Sequence, residues 1–311
     1  MEIIHQQGNS AVASAYLARF EDGEGMVEFV DSLGGAHSRR EKWVLIVSSL
    51  YGCPVECKFC DAGVFYDGPI STENLMAQVN YLIDNQPQVS PADSDKFKVQ
   101  FARIGEPAFN DAVLDAILAI RDEYEAPNYM PCISTVAPTG RDDWFERLKR
   151  INHNVFQGNF QLQFSVHSTD EDYREFLIPA DVWELEEIAE YANRFYDGGR
   201  KVTLNFALSE DTPFDPDKLA SIFDPDTSAI KITPLNPTAQ AENHDIVNVF
   251  DQSEGEQLPV IDDMEDHGFD VYLSIGDLRE NEILSNCGQV LLAQTEVGDS
   301  LSVSEPEEPS I

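Results

Sequence analysis

The stretch from Gly52 to Gly63 reads Gly-Cys-Pro-Val-Glu-Cys-Lys-Phe-Cys-Asp-Ala-Gly, and it decides which fold to expect of the rest of the chain. Its cysteines, Cys53, Cys57 and Cys60, have the spacing Cys-x3-Cys-x2-Cys and follow the apolar run 43–47. Three soft thiolates this close together, on a loop that leaves a buried strand, are suited to chelating a metal centre. Because a [4Fe–4S] cluster usually takes four cysteines, three would leave one iron open to another ligand.

A structural zinc site is the alternative interpretation of these cysteines. Closed zinc sites usually pair two Cys-x2–4-Cys hooks, or one such hook with a pair of histidines. Here Cys132 and Cys287 stand alone, and no two of the six His lie within five residues of each other. The pattern therefore favours an iron–sulfur cluster.

Acidic residues dominate the chain: 57 Asp and Glu stand against 20 Lys and Arg, which gives a net charge of −37 over 311 residues. The excess is spread along the whole chain, and such a surface repels itself at ordinary ionic strength. In molar salt the screening length falls to about 3 Å, so the same surface would be tolerated there. We therefore expect a halophilic protein. An acidic protein of a mesophile is the alternative.

The charge leaves nucleic acid open as a partner. No basic stripe is visible, and the nearest cluster is Arg39-Arg40-Glu41-Lys42. At low salt this would argue against RNA, but in concentrated salt counterion release contributes little to affinity.

The cysteine count and the first residues bear on the compartment. Five Cys is an odd number, and three of them belong to one hook, so a disulfide framework is not expected. Residues 1–6 have neither a basic n-region nor an apolar h-region, and no segment resembles a membrane span. We expect a cytoplasmic location, where thiols stay reduced.

Beyond Trp43 the chain alternates between strand-like and helix-like segments, as βα units require. The predicted strands are 43–49, 98–104, 129–135, 160–166, 202–208, 229–233 and 270–275. The predicted helices are 71–84, 111–123, 141–151, 181–196 and 214–223. Ser71 or Thr72 is a predicted N-cap, and Asp181 with Glu184 has the spacing of a capping box.

Six βα units predict an α/β fold, a partial (β/α)6 TIM-type barrel. We expect three regions: an N-terminal β-hairpin extension at 1–41, with its strands within 12–30, a core at 42–290 and an acidic disordered C-terminal tail at 291–311. In such barrels the chemistry lies at the carboxyl ends of the strands.

Candidate ligand-binding residues follow the predicted strands. Gly105 would let the backbone approach a ligand, and Glu106 could accept hydrogen bonds from an ammonium group. Ser134, the tripeptide Ser165-Val166-His167 and Asn236 also stand at strand ends. Each has a simpler alternative as a helix cap or a turn residue.

The cysteine spacing strongly resembles the cluster loop of the radical S-adenosylmethionine (SAM) superfamily. Further motifs resemble one branch of it, the radical SAM ribosomal RNA adenine methyltransferases, which include the chloramphenicol–florfenicol resistance enzymes. The motifs that carry this resemblance are Val47-Ser48-Ser49, Gly52-Cys53, Cys57-Lys58-Phe59-Cys60, Gly105-Glu106-Pro107, Ser134-Thr135, Ser165-Val166-His167, Asn236 and Cys287-Gly288-Gln289.

The resemblance implies a [4Fe–4S] cluster on the three cysteines, with SAM on the open iron and its amino group at Gly105-Glu106. An electron from a donor such as ferredoxin or flavodoxin would cleave SAM to a 5′-deoxyadenosyl radical. Ser134, Ser165, Val166, His167 and Asn236 would bind the rest of SAM. Cys287 would be the catalytic methyl carrier, which takes a methyl group from a first SAM before a second supplies the radical.

The chain departs from this branch at two places. The branch has a resolving Cys seven residues before the first cluster Cys, where this chain has Ile46. Its N-terminal RNA-binding domain has no counterpart, since only 42 residues precede Trp43. The resemblance implies RNA as one candidate substrate. Because of these two departures, the substrate and the last reaction step stay open.

Three functions remain open from the sequence. The first is a radical SAM methyltransferase, and the second is a radical SAM enzyme that only abstracts hydrogen. The third is a non-enzymatic iron–sulfur protein for electron transfer, with Cys287 as a fourth ligand.

Overall fold

The computed structural model describes residues 1–9, 12–20, 25–33, 37–248, 259–274 and 288–293. A ten-stranded sheet forms the frame, in the order β1-β2-β3-β4-β7-β8-β9-β10-β11-β12, and β5 and β6 form a second small sheet. The strands are β1 (Glu2–Asn9), β2 (Ala13–Arg19), β3 (Met26–Ser32), β4 (Trp43–Val47), β5 (Leu50–Gly52), β6 (Tyr66–Pro69), β7 (Phe97–Phe101), β8 (Tyr129–Thr135), β9 (Gln161–Ser165), β10 (Val202–Leu208), β11 (Ser228–Pro234) and β12 (Val271–Leu273).

Helices connect the parallel strands of the large sheet. They are α1 (Thr72–Asp84), α2 (Ala112–Tyr124), α3 (Asp142–Ile151), α4 (Glu171–Leu177), α5 (Leu185–Phe195), α6 (Pro216–Ile222), α7 (Ala239–Asn243) and α8 (Pro259–Asp266). Strands β4 and β7 to β12 run parallel, whereas β1 to β4 pair antiparallel. No helix in the described ranges is long and apolar enough to cross a membrane.

The two faces of the parallel strands differ because side chains alternate along a strand. One face is apolar and packs into the main core under the helices; it includes Val99, Phe101, Ile133, Phe164 and Phe206. The opposite face, called the polar face below, carries Lys98, Gln100, Cys132, Ser134, Gln161, Gln163, Ser165, Thr203, Asn205 and Lys231. Among the described strands, hydrogen-bonding side chains are concentrated on this second face.

The predicted mixed α/β fold with a large parallel sheet is confirmed. Strands predicted at 129–135 and 202–208 have those bounds, and β2 and β3 lie within the predicted hairpin region. The division into three regions stays a prediction, and the predicted tail beyond residue 293 lies outside the described residues.

Two local predictions need correction. The predicted helix 181–196 begins at Leu185, because its capping box is formed by Glu184 and Glu187 rather than by Asp181 and Glu184. Strand β1, which pairs with β2 at the edge of the sheet, was not predicted. The N-cap at Ser71 is confirmed, since its hydroxyl accepts from Asn74 N at 3.2 Å.

Candidate active site

The cysteine loop begins at a tight turn out of β5. Gly52 has φ +80, and a Cβ there would lie 1.9 Å from Phe65 O, so no larger residue fits. Directly after it, Cys53 N donates to the same carbonyl at 3.0 Å. The loop then passes Cys57 and Cys60 and enters a 3-10 helix, Asp61–Val64. The β5–β6 pair thus fixes where the first cysteine leaves the sheet.

All three loop cysteines are partly exposed and none forms a disulfide. Burial raises the pKa of the Cys53 thiol to about 11. The backbone N–H groups of Val55, Glu56 and Glu106 donate to its sulfur and partly oppose this increase. Burial also raises the pKa of Cys57, and the neighbouring Cys60 and Cys53 raise it further. The three sulfurs therefore lie within electrostatic reach of one another.

This donor set fits an iron–sulfur cluster. Within the described ranges, no three Cys, His, Asp or Glu side chains stand close enough to hold a metal ion without adjustment. Fe–S clusters, however, take thiolates from one loop, and N–H groups donating to the sulfurs, as at Cys53, are a regular part of such sites. Metal binding would release the thiol protons that burial favours in the metal-free loop.

Glu106 lies beside the cysteine loop as a buried carboxyl group. It accepts from Ala108 N at 3.0 Å, Thr135 Oγ1 at 2.5 Å and Val136 N at 2.8 Å. Burial nevertheless raises its pKa to about 7. Within the described residues no cation pairs with it. A buried carboxylate without a counterion fits the ammonium of an amino-acid ligand such as SAM.

Gly105 precedes this carboxyl group with φ +99, and a Cβ there would lie 2.5 Å from Leu50 Cβ. The close packing of this turn on β5 requires glycine. The glycine at position 105 is therefore explained by packing as well as by the predicted ligand contact.

The other predicted ligand residues lie along the same edge of the sheet. Ser134 accepts from Gln163 Nε2 at 2.9 Å, and that amide also contacts Cys132 Sγ at 3.4 Å. Ser165 is partly exposed on the polar face and Val166 is fully buried, while Asn236 is exposed after β11. The structure brings the two serines to the site edge but gives Val166 no exposed side chain.

His167 supports the cysteine loop by packing. Its ring meets the Phe59 ring edge-on, with centroids 4.9 Å apart. Its Nδ1 accepts from Ala207 N at 3.1 Å. Burial, with Arg174 adding to the effect, lowers its pKa to about 3, so the imidazole is neutral.

The loop after β11 is tied to the cysteine loop on the other side. Thr238 Oγ1 donates to Phe59 O at 2.9 Å. The Asp61 carboxylate accepts from Gln240 N at 3.0 Å and Ala239 N at 3.3 Å. These contacts hold the region around Asn236 against the candidate cluster site.

Residues 288–293, called the C-terminal segment below, also pack on the cysteine loop. A Cβ at Gly288 would lie 2.6 Å from Ala62 N. The segment is held by the fully buried Glu28, which accepts from Gly288 N at 3.2 Å and Leu291 N at 2.6 Å. Arg103 pairs with Glu28 at 2.6 Å. Cys287 itself lies outside the described residues.

Comparison with known proteins agrees with this geometry, although no family model matches the chain. The chain is 27% identical over 252 residues to the probable dual-specificity RNA methyltransferase RlmN of a Synechococcus species. The match covers 78% of this chain and 67% of that protein. It is 25% identical over 284 residues to the protein of the same name from Nostoc punctiforme, covering 86% of this chain and 73% of that protein. The protein of this name from Thermobifida fusca is 27% identical over 263 residues, covering 80% of this chain and 68% of that protein. The chain thus spans about two thirds of the length of several curated relatives.

A radical SAM methyltransferase from Sphaerobacter thermophilus has the same fold, with a TM-score of 0.67 at 19% identity over 92% of this chain and 80% of that one. The chain thus has the fold of this radical SAM methyltransferase, and its sequence is similar to curated RNA methyltransferases.

Some residues that shape this candidate site were not predicted from the sequence. Glu28 stands far from each motif, and only an isolated charge within an apolar strand could have marked it. Arg103 precedes Gly105 by two residues, but nothing in the sequence relates it to Glu28. Phe59 lies between two loop cysteines, so its position could have suggested a supporting role. The lysines of the polar face stood in separate strands with no motif to join them.

Proposed function

We propose that this enzyme is a methyltransferase that carries a [4Fe–4S] cluster on Cys53, Cys57 and Cys60. The observation that carries the proposal is the position of Cys53 and Cys57 within electrostatic reach of Glu106, with Cys60 within reach of Cys57. A partial (β/α)6 barrel around the polar face would give these groups a common interior.

The cluster and SAM together would supply a carbon radical that abstracts hydrogen, once a donor such as ferredoxin or flavodoxin provides an electron. The chain's own residues would orient SAM. Glu106 would accept hydrogen bonds from its ammonium, and Gly105 would let the backbone come close. Ser134, Ser165, Val166, His167 and Asn236 stay proposed contacts to the rest of SAM, with the buried Val166 restricted to its backbone.

Cys287 is the proposed methyl carrier. Its sulfur would take the methyl group of a first SAM as the sulfonium C–S bond breaks, S-adenosylhomocysteine leaves and the thiol proton passes to solvent. The residue directly after it, Gly288, packs against the cysteine loop. The Glu28–Arg103 pair holds the C-terminal segment next to the cysteine loop, which supports the proposal that a carrier at position 287 reaches SAM.

RNA is the proposed substrate, because the similar curated proteins are named RNA methyltransferases. The finer assignment to the ribosomal RNA adenine branch rests on the motifs and stays a proposal. Position 46 is an isoleucine on β4, packed in the apolar cluster near Cys53 and Cys60. Release of product would therefore proceed without a resolving thiol at that position.

The cluster assignment is tested with Cys57→Ala, assayed for reductive SAM cleavage after anaerobic reconstitution. We expect cleavage to be lost while the melting temperature stays near that of the wild type. Cys132→Ala is the matched control, since Cys132 is a thiol outside the loop, and it should keep the cluster. SAM cleavage by the Cys57 variant at the wild-type rate would refute the assignment.

Mass spectrometry of the wild-type protein after incubation with SAM tests the carrier. A methyl group on Cys287 supports the methyltransferase. Formation of 5′-deoxyadenosine without any methylated Cys287 would instead identify an enzyme that only abstracts hydrogen.

A further inference from the structure

Four of the chain's eight lysines gather on or beside the polar face: Lys42, Lys96, Lys98 and Lys231. Lys42 and Lys96 directly precede β4 and β7, Lys98 is the second residue of β7, and Lys231 is central in β11. In a flat sheet β7 and β11 would be about 19 Å apart. Because Lys98 and Lys42 lower the pKa of Lys231, the face must curve so that these cations approach one another.

Lys96, Lys98 and Lys231 are poorly compensated. Burial, with the neighbouring cations, lowers the pKa of Lys231 and of Lys96 to about 8 each. Within the described ranges, no carboxylate pairs with Lys96, Lys98 or Lys231.

Lysines elsewhere behave differently. Lys149 pairs with Glu146 at 2.7 Å, and Lys201 pairs with Asp270 at 2.7 Å. In a chain with 57 acidic residues, carboxylates are abundant. Gathering lysines where no described carboxylate meets them costs free energy through mutual repulsion and desolvation. An anionic ligand would offset that cost.

Polar groups lead from the lysines toward the cysteine loop. Lys231 Nζ donates to Gln163 Oε1 at 3.3 Å, and Gln163 Nε2 donates to Ser134 Oγ at 2.9 Å. Next to Lys231 in register is Asn205, whose buried Oδ1 has no hydrogen-bond partner. A ligand along this face would thus meet cations at one end and the proposed SAM site at the other.

We propose that Lys96, Lys98 and Lys231, with Lys42 at the rim, form a binding site for a phosphate group of the substrate. The site takes a phosphate while the rest of the ligand extends along the polar face toward Glu106 and the cysteine loop. The existence of an anion site stands on the cations alone. Its assignment to the substrate rests on the proposed methyltransferase function.

The test is direct binding to the reconstituted wild-type protein and to the double variant Lys98→Gln/Lys231→Gln. The probes are a single-stranded RNA oligonucleotide, adenosine monophosphate and inorganic phosphate, at the lowest KCl concentration that keeps the protein folded. We expect the dissociation constant of the probes that bind to rise at least tenfold in the double variant. The matched control is Lys149→Gln/Lys201→Gln, which removes the same charge from paired surface lysines and should leave binding unchanged.

The probes also distinguish the source of the phosphate. Tighter binding of the oligonucleotide than of adenosine monophosphate supports a nucleic acid, and equal binding supports a free nucleotide. Equal affinities of the double variant and the wild type would overturn the site, as would the absence of binding of every probe to the wild type. Because binding needs no SAM cleavage, failure of the methyltransferase proposal would leave this result unaffected.

Discussion

Single charged residues define the two ends of the polar face. Glu106 is a buried carboxyl group without a described cation, and Lys231 is a partly buried ammonium group without a described carboxylate. Folded chains keep such groups only when another interaction offsets the desolvation. The chemistry of the missing partners can therefore be read from the residues: a cation beside Glu106 and an anion beside Lys231.

Lys231→Met should stabilise the ligand-free protein at neutral pH. The pKa of Lys231 is about 8 in the folded chain, below its ordinary 10.5. Such a shift means that the charged Lys231 lowers the free energy of unfolding by about 3 kcal/mol. This loss is fully present below pH 8 and disappears by about pH 10.5. Between these two values only the unfolded chain keeps the proton. Denaturant unfolding at pH 7 and pH 10 measures the expected difference.

The control for this prediction is Lys201→Met, which removes a lysine paired with Asp270. It should give no stability gain at either pH. If the gain from Lys231→Met is as large at pH 10 as at pH 7, then lost repulsion and desolvation are not its cause. The facing groups Lys42, Lys98 and Cys132 are unchanged in both variants.

Among the elements, the short β5–β6 pair has the most direct effect on the site. It consists of Leu50–Gly52 and Tyr66–Pro69, and the cysteine loop lies between its strands. A two-stranded pair is marginal by itself. Its geometry therefore depends on the turn at Gly52 and on packing against Gly105.

Gly52→Ala should weaken both the fold and cluster binding. The new methyl group would overlap Phe65 O, and relief of that overlap would break the hydrogen bond from Cys53 N. A left-handed alanine alone costs roughly 1–2 kcal/mol. We expect a lower melting temperature and fewer iron atoms bound per chain after reconstitution.

Gly140→Ala separates strain from overlap. Gly140 has φ +72, and a Cβ there meets no atom within 4 Å. This variant should show the loss from a left-handed alanine without any loss of iron. Equal iron binding by the Gly52 variant and by this control would argue against the turn as the anchor of the loop.

Regular elements were predictable where periodicity was strong. The alternation of apolar and polar residues from Phe160 to Val166 is the period of a strand, and β9 lies there. The boundary of α5 was not predictable, because two acidic residues offered equally spaced caps and tertiary packing selected Glu184. The strand Glu2–Asn9 has a polar composition, so only its pairing with β2 makes it a strand.

At the scale of the whole molecule, the buried pair Glu28–Arg103 connects the antiparallel strands, the parallel sheet and the C-terminal segment. The two side chains are at most 2% exposed. The cysteine spacing made the candidate metal ligands predictable, but this connection was not, since nothing in the sequence relates Glu28 to residues near its other end.

Glu28→Gln should be strongly destabilising. The amide keeps the shape but leaves Arg103 with a buried charge, which costs about 3–5 kcal/mol. It also replaces one acceptor for Gly288 N or Leu291 N by a donor. Denaturant unfolding measures the loss, and methylation of Cys287 should fall as its anchor weakens.

Glu28→Gln/Arg103→Met removes both charges and should recover part of the lost stability. It should not restore the anchor of the C-terminal segment, so methylation of Cys287 should stay low. If the single variant Glu28→Gln is as stable as the wild type, the pair does not hold these regions together.

The same anchor has a consequence for biosynthesis. The hydrogen bond from Leu291 to Glu28 joins residues 263 positions apart. At roughly 5–20 residues per second, the ribosome needs about 13–53 s between these two residues. For most of that interval the three loop cysteines are already made, whereas the segment that packs on Ala62 is not. Any iron and sulfide delivered during translation therefore reach the cysteine loop before residues 288–293 cover it.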